Sequence, residues 1–430
     1  MKLTYQKTTL ANGLRVLTCS LPHTYSVGVG FYLSVGSRYE DEQLAGAAHF
    51  VEHMLFKGTA RYPTAQALAS LIEGHGGLFN ASTGRESTVV WFKMQQQHTA
   101  LALDTLAEML RFSLLLPEEV EKERRVILEE ISSSQDIPEE LASLLVHDIT
   151  WPGHPLGRDV AGTPASVASL DHRALRNFLA TYYTPQNTVL SVAGDVQHEA
   201  IVAAATDLFA GWQPAAPTAF VPAPIVDDKP RVALIKRPCE QTHLALHLPG
   251  VSRSDADRYA LGLLNVILGE GMSSRLFLEV RERLGLAYAV ESYASFLADT
   301  GVVGVYAAVA PDQAHTGLNA VLAELRRLRQ EPVDDQTLRN AKEFAKGQII
   351  LGMEDTLAAA GWFGRQEILG QPIMTVEDTL ERMEQVTAEH IMAVAQRLFH
   401  PAGTRLAIVG PHRKKDIPGF QSLLNAGALA

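Results

Sequence analysis

The order of apolar and polar positions along the chain predicts strands and helices that come in separate groups. Asn12-Gly13 lies between two short apolar runs and predicts a hairpin turn, and the run 27–33 predicts a strand. Apolar positions at helical spacing predict long helices over 97–115, 117–134, 312–329 and 334–350. Because strands and helices do not alternate regularly, the pattern favours α+β layers over a Rossmann fold or a barrel.

The two halves of the chain end alike, which predicts an internal duplication. Four residues recur 216 positions later, and the pairs are Pro185 and Pro401, Thr188 and Thr404, Leu190 and Leu406, and Gly194 and Gly410. A proline-rich segment over 213–229 predicts a linker between the copies. We therefore expect two homologous domains, 1–212 and 230–430, each a mainly antiparallel sheet packed with helices.

Composition and charge narrow the possible functions. The chain has 430 residues, 47% of them hydrophobic, and a formal net charge of −11 that disfavours nucleic acid as a partner. No apolar run is long enough to span a membrane and the start does not resemble a signal peptide, so we expect a cytoplasmic protein with no membrane partner. Two cysteines exclude a cysteine-rich metal site, so any metal ligands must be histidines and carboxylates.

The segment His49-Phe50-Val51-Glu52-His53 is the strongest candidate for chemistry. Histidines at i and i+4 project from one face of a helix and can bind one metal ion, with Glu52 close enough to act on a water molecule. The flanking residues are apolar, and burying two imidazoles and a carboxylate without a partner is costly. The pattern predicts a metal site with Glu52 as the catalytic base; two hydrogen-bonded core histidines are the alternative.

A catalytic zinc site usually has three protein ligands, so a third is expected on another element. In the acidic helix that begins near residue 117, Glu129 stacks with basic residues one and two turns earlier, which is typical of a solvated face. Glu130 instead shares its face with Val126 and Ile127. We therefore predict Glu130 as the third ligand and Glu123 as a group that orients a ligand histidine. The alternative is a wholly solvated acidic helix.

With these residues, the chain resembles the pitrilysin-type inverzincin peptidases. The resemblance rests on the inverted motif, Lys57-Gly58-Thr59, the segment 78–83 and the pattern Glu-Arg-x-Val-Ile-Leu-x-Glu over 123–130, and it covers nearly the whole chain. The most similar subgroup in size is that of mitochondrial processing peptidase β subunits and their bacterial relatives. The resemblance implies one Zn²⁺ per chain, a third ligand about as far downstream as Glu130, and an endopeptidase that hydrolyses short or unfolded peptides.

The same resemblance implies further site residues. Asn80 and Ala81 match the edge-strand segment whose backbone pairs with an extended substrate, and the run 78–82 fits an exposed strand on its own pattern. Arg281 and Tyr288 match residues that hold the substrate and the developing oxyanion. Both roles are implied by the family alone.

The second copy is predicted to lack a metal site. The positions answering to His49, Glu52 and His53 are Asn265, Leu268 and Gly269, which cannot bind zinc together. One domain then resembles the family's catalytic domain and the other its clasp domain. Long relatives form a closed chamber from four such domains, so a two-domain chain is expected to form a homodimer in which Arg281 and Tyr288 act on the partner's zinc site.

Two other functions stay open at this point. The chain could be a catalytically inactive structural or partner subunit of the same fold, or a carrier that binds peptides without cutting them. His243 and His247 lie four apart in a strand pattern, about 13 Å apart along the strand, and are predicted to be ordinary strand histidines.

Overall fold

A computed structural model of the protein describes residues 3–216, 219–224, 231–401 and 403–425. Within the predicted linker 213–229, residues 217, 218 and 225–229 lie outside this description. None of the helices among the described residues combines the length and the apolar character that crossing a membrane requires.

Eleven strands in the described residues form two sheets. They are β1 (Gln6–Thr9), β2 (Arg15–Ser20), β3 (Ser26–Leu33), β4 (Leu78–Thr83), β5 (Thr88–Gln95), β6 (Thr188–Gly194), β7 (Arg231–Lys236), β8 (Thr242–Pro249), β9 (Ala287–Phe296), β10 (Gly301–Val309) and β11 (Arg405–Gly410).

The helices fall between and after these strands. They are α1 (Ala47–Leu55), α2 (Ala65–Glu73), α3 (Thr99–Phe112), α4 (Pro117–Asp136), α5 (Pro138–Thr150), α6 (Pro164–Ser169), α7 (His172–Tyr182), α8 (His198–Leu208), α9 (Arg258–Gly269), α10 (Ala314–Gln330), α11 (Asp335–Gly352), α12 (Thr356–Ile368), α13 (Val376–Glu384), α14 (Ala388–Leu398) and α15 (Ile417–Asn425). A π-helical segment covers Phe277–Arg283. The four predicted long helices are confirmed as α3, α4, α10 and α11.

Both sheets are mixed and mainly antiparallel, which confirms the predicted α+β fold of two homologous domains. The first has the order β1-β2-β6-β3-β5-β4 and the second the order β7-β11-β8-β10-β9. In each sheet one pair is parallel, β2 with β6 and β7 with β11. Strand β8 begins and ends 216 residues after β3, as the duplication predicts.

The chain folds into two compact units that depart from the predicted ranges 1–212 and 230–430 in two segments. Residues 132–158 belong to the second unit, and residues 349–378 belong to the first. The reason is packing: α5 lies on β8 and β11, whereas α12 lies on β3 and β6. Each half of the chain therefore supplies one helix to the other half's sheet.

Helix α12 packs closely on the first sheet because β3 has a glycine where the helix begins. A Cβ atom at Gly28 would lie 2.7 Å from the main chain of Thr356 and Leu357. On this face Tyr32 packs with Phe363 of α12, and the opposite face of the sheet packs against α1 and α3. The first sheet is thus covered on both faces, and α1 contacts its edge strand β4.

Candidate metal centre

Helix α1 presents three polar side chains on one face and buries the other. Phe50, Val51 and Met54 are buried in the core of the first unit. The helix begins after Gly46, whose φ of 90° suits glycine. The Glu40 carboxylate accepts hydrogen bonds from the main-chain N–H groups of Gly46 and Ala48 at the positive end of the helix. The periodicity of α1 then leaves His49, Glu52 and His53 together on the opposite face.

The two imidazoles and Glu130 lie close enough to share one ion. The Nε2 atoms of His49 and His53 are 3.2 Å apart, and each is 3.8 Å from a carboxylate oxygen of Glu130. Two nitrogens bound to one tetrahedral zinc lie about 3.3 Å apart. Among the described residues, this is the one group of three or more possible metal-ligating side chains whose ligand atoms all lie within 4.8 Å of one another. The donor set therefore fits a zinc ion.

The surroundings of Glu130 differ from those that the sequence predicts. The expected apolar face around it is present only in part: Ile127 is buried, but Val126 is 51% exposed and the Glu130 side chain is 47% exposed. Helix α4 nevertheless directs the Glu130 carboxylate toward both histidines, so the carboxylate is at the solvent side of the group.

Glu123 contacts His53 through the ring nitrogen that does not face His49 and Glu130. Its Oε1 lies 2.8 Å from Nδ1 of His53, and its Oε2 lies 2.6 Å from Nζ of Lys57. Burial would raise the pKa of Glu123, but the hydrogen bonds from His53 and Lys57 outweigh it and leave the pKa lowered. An ionised Glu123 keeps the proton on Nδ1 of His53, so Nε2 is free to bind a metal.

His49 has no such partner. Its Nδ1 atom is buried and makes no hydrogen bond within the described residues. Burial, followed by the neighbouring His53, lowers the pKa of His49 to about 4. The imidazole is therefore neutral near physiological pH, which is the form that binds a metal ion.

Glu52 faces β4. Its carboxylate accepts a hydrogen bond from the Thr83 hydroxyl, at the end of that strand. Burial raises the pKa of Glu52, although the bond from Thr83 acts against the shift. Tyr183 is buried nearby, and its pKa is raised first by burial and then by the charge of Glu52. A half-buried carboxylate with a raised pKa is typical of a group that takes up and releases a proton.

Strand β4 is an edge strand of the first sheet, so one row of its main-chain groups faces outward. Asn80 is exposed and Ala81 is nearly buried, in the alternation expected of a strand. The side-chain Oδ1 of Asn80 accepts a hydrogen bond of 2.8 Å from the N–H of Ala81. The strand has the geometry that pairing with an extended peptide requires.

Comparisons with known proteins show the family of the chain. Residues 15–164 match the family model described as insulinase, peptidase family M16, and residues 169–344 match the model described as the peptidase M16 inactive domain. A Streptomyces coelicolor protein named an uncharacterized zinc protease is 38% identical over 423 residues, which are 96% of this chain and 91% of that protein. The chain belongs to the peptidase M16 family.

Other relatives support the same family. An uncharacterized zinc protease of Mycobacterium tuberculosis is 36% identical, covering 96% of this chain and 95% of that protein. The uncharacterized zinc protease YmxG of Bacillus subtilis is 32% identical, with 94% and 97% covered. A solved Helicobacter pylori protease has a TM-score of 0.91 at 24% identity, covering 96% of this chain and all of that one. A Pseudomonas fluorescens structure described as a peptidase M16 inactive domain has a TM-score of 0.88 at 23% identity, with 96% and 98% covered. At such identities the two structures show the fold alone.

The second unit of this M16 protein brings Arg281 and Tyr288 together. The Arg281 guanidinium donates a hydrogen bond of 2.9 Å to the main-chain oxygen of Tyr288 and lies 4.9 Å from the centre of its ring. Tyr288 is 77% exposed. The two side chains therefore form one exposed pair, and their action on a partner's zinc site stays a prediction.

The other histidine pair has its own partners. Nδ1 of His243 lies 2.8 Å from the Tyr306 hydroxyl, and Nε2 of His247 lies 2.7 Å from the Tyr293 hydroxyl. These contacts confirm the prediction of ordinary strand histidines.

Two residues at the site were given no role from the sequence. Lys57 pairs with Glu123, and Thr83 pairs with Glu52. Lys57 lies two residues beyond the end of α1, so helical spacing does not predict its contact with Glu123. Thr83 follows Ala81 by two positions, so strand spacing places it on the same face.

Proposed function

We propose that the protein is a zinc-dependent endopeptidase in which His49, His53 and Glu130 hold one Zn²⁺ per chain. The observation that carries the proposal is the convergence of these three side chains beside Glu52. Relatives named zinc proteases at 32–38% identity support zinc and peptidase activity in general. The intact group of four side chains favours an enzyme over an inactive subunit.

The chemistry follows from the arrangement of the side chains. A zinc ion bound there would polarise the carbonyl of the peptide bond and lower the pKa of a water molecule. Glu52 accepts one proton from the attacking water and later passes it to the leaving amine nitrogen, so the carboxylate is regenerated. Lys57 and Glu123 hold His53 in the tautomer that a metal ligand requires.

The proposed substrate is a short or unfolded peptide bound in an extended conformation along β4. Asn80 and Ala81 lie on this edge strand, and main-chain pairing there is independent of most side chains of the peptide. A formal net charge of −11 also favours cationic over acidic peptides. We further propose a homodimer that encloses the site, with Arg281 and Tyr288 of one protomer acting on its partner's zinc site. A cytoplasmic location stays a prediction.

A peptide-library digest with mass-spectrometric detection tests the proposal. Purified protein is assayed with added zinc, with a chelator, and as the variant Glu52→Gln, and its zinc content and native mass are measured alongside. We expect cleavage that needs zinc and that falls by about 10²–10⁴-fold in Glu52→Gln with zinc still bound. Cleavage by Glu52→Gln at the wild-type rate would contradict the mechanism, and peptide that stays bound but intact with zinc present would favour a carrier.

A further inference from the structure

The Glu52 carboxylate depends on a single residue for its hydrogen bonds in the described part of the chain. That residue is Thr83, whose hydroxyl donates to Oε2. A hydrogen bond to a charged carboxylate is strong and restricts the position of that group. The orientation of Glu52, the proposed base, therefore depends on Thr83 at the end of β4.

The Thr83 hydroxyl is the donor in its contact with Glu52, because an ionised carboxylate can only accept. The Thr88 hydroxyl lies 3.3 Å from the Thr83 hydroxyl, on the neighbouring strand, and donates its own proton to the main-chain oxygen of Val35 at 3.0 Å. A hydroxyl has one proton to donate, so Thr88 does not donate to Thr83.

The main-chain N–H of Thr83 faces the open edge of the sheet. The N–H of Gly84 donates to the oxygen of Ser87 at 2.8 Å in the turn that joins β4 and β5. Opposed residues in an antiparallel pair alternate between bonded and non-bonded. Thr83, opposite Thr88, is therefore in a non-bonded pair, and its N–H points away from β5.

The same alternation directs the main-chain groups of Ala81 outward, two residues earlier. The N–H of Ala81 donates to the Asn80 side chain, which can rotate about its single bonds. A carbonyl oxygen of a peptide that pairs with Ala81 can therefore accept this hydrogen bond instead. The outward N–H groups of Ala81 and Thr83 lie along the same open edge, and Thr83 is the residue next to Glu52.

We propose that Thr83 is a positioning residue that holds Glu52 in its working orientation, at the end of the strand along which an extended peptide would pair. The proposal rests on the peptidase function proposed above. It assigns to one residue the link between the strand that binds the peptide and the carboxylate that moves the proton.

Three substitutions test the role of Thr83. Thr83→Val keeps the shape and the main-chain N–H but removes the hydroxyl, whereas Thr83→Ser keeps the hydroxyl. The matched control is Thr206→Val on α8, which removes a hydroxyl that donates to the oxygen of Val202 at 2.8 Å, in the same unit. We expect kcat of Thr83→Val to fall by about 10–100-fold with KM within about twofold, and Thr83→Ser and Thr206→Val to stay within about threefold of wild type.

Crystal structures of the wild type, Thr83→Val and Thr83→Ser supply a readout that is independent of turnover. We expect the Glu52 carboxylate to keep its place in the wild type and in Thr83→Ser and to turn away in Thr83→Val. An unmoved carboxylate in Thr83→Val would overturn the positioning role.

The kinetic outcomes separate this proposal from the one on which it rests. If the wild type cleaves and Thr83→Val cleaves equally well, the role of Thr83 is overturned and the peptidase function stands. If the zinc-loaded wild type cleaves no peptide, the peptidase function is overturned and the role of Thr83 falls with it.

Discussion

Helices α1 and α9 occupy equivalent places in the two duplicated halves, but only α1 carries histidines at the two positions that correspond. In α1, His49 and His53 direct their Nε2 atoms toward a common point with Glu130. In α9 the corresponding positions are Asn265 and Gly269. The duplicated scaffold alone therefore does not make a metal site.

In the second unit, tight packing and internal hydrogen bonds take up the space that the ligands occupy in the first. Oδ1 of Asn265 accepts a hydrogen bond of 2.8 Å from the Ser292 hydroxyl, and its Nδ2 donates to Glu270 at 3.2 Å. A Cβ atom at Gly269 would lie 2.5 Å from the main-chain nitrogen of Ser292. In the first unit the buried Nδ1 atom of His49 makes no hydrogen bond within the described residues. In the second unit the side-chain atoms of Asn265 are hydrogen-bonded to Ser292 and Glu270.

The largest expected effect comes from Glu130→Gln, which removes the charge from one member of the group in the first unit. We expect zinc affinity to fall by more than about 100-fold, because a direct ligand matters more than a partner behind a ligand. Competition with a chromophoric chelator measures the affinity. The control is Glu129→Gln, an exposed neighbour on the same helix, and equal affinities of the two variants would exclude Glu130 as a ligand.

Much of this comparison could be predicted from the sequence. The offset of 216 residues identified the duplication and showed that Asn265 and Gly269 replace the histidines. The i, i+4 spacing of His49 and His53 identified the site, because helical geometry alone places both side chains on one face.

The partner of each exchanged helix could not be predicted. An amphipathic pattern shows which face of α5 or α12 is buried, but it does not show which sheet covers that face. Glu130 was assigned from an apolar face that is only half present, since Ile127 is buried but Val126 is exposed. The Glu130 carboxylate lies beside the histidines because of the way α4 packs, and the sequence does not show that packing.

A second prediction concerns the second unit, where Ser292 fills the space next to Gly269. Gly269→His rebuilds the missing histidine position in α9, and we expect it to destabilise the protein by about 1–3 kcal/mol, because the side chain must displace Ser292. The midpoint of thermal unfolding measures the effect. Gly262→Ala on the same helix is the control: a Cβ atom there meets open space, and we expect a gain of about 0.5–1 kcal/mol. Equal midpoints for Gly269→His and wild type would show that the second unit is not closed by packing.

A third prediction tests the contact between Glu123 and His53. Gly269, the residue that corresponds to His53 in the second half, has no side chain to make such a contact. Glu123→Gln removes the charge that pairs with Lys57 and fixes the tautomer of His53, so zinc affinity is expected to fall by about 10–100-fold. Glu119→Gln removes a partly buried charge that pairs with Lys122 on the same helix and is expected to leave the affinity unchanged. An effect of Glu119→Gln as large as that of Glu123→Gln would point to the overall charge of α4 instead.

The smallest expected effect concerns the exchanged helices, whose first turns also differ between the units. Asp355 caps α12 by accepting hydrogen bonds from the N–H groups of Leu357 and Ala358 and pairs with Lys93, whereas α5 follows Ile137, which makes no side-chain cap. We expect Asp355→Ala to lower stability by about 0.5–2 kcal/mol near neutral pH.

This contribution should depend on pH with a definite sign. Burial alone would raise the pKa of Asp355, but the bonds from Lys93, Ala358 and Leu357 outweigh it, so the pKa is lowered in the folded protein. A lowered carboxyl pKa contributes stability above the unfolded pKa of about 3.9, and that stability is lost as the pH falls through the folded value. The difference in unfolding midpoint between wild type and Asp355→Ala should therefore be present at about pH 7 and shrink toward about pH 3. A difference that stays constant over this range would show that the charge of Asp355 does not stabilise the start of α12.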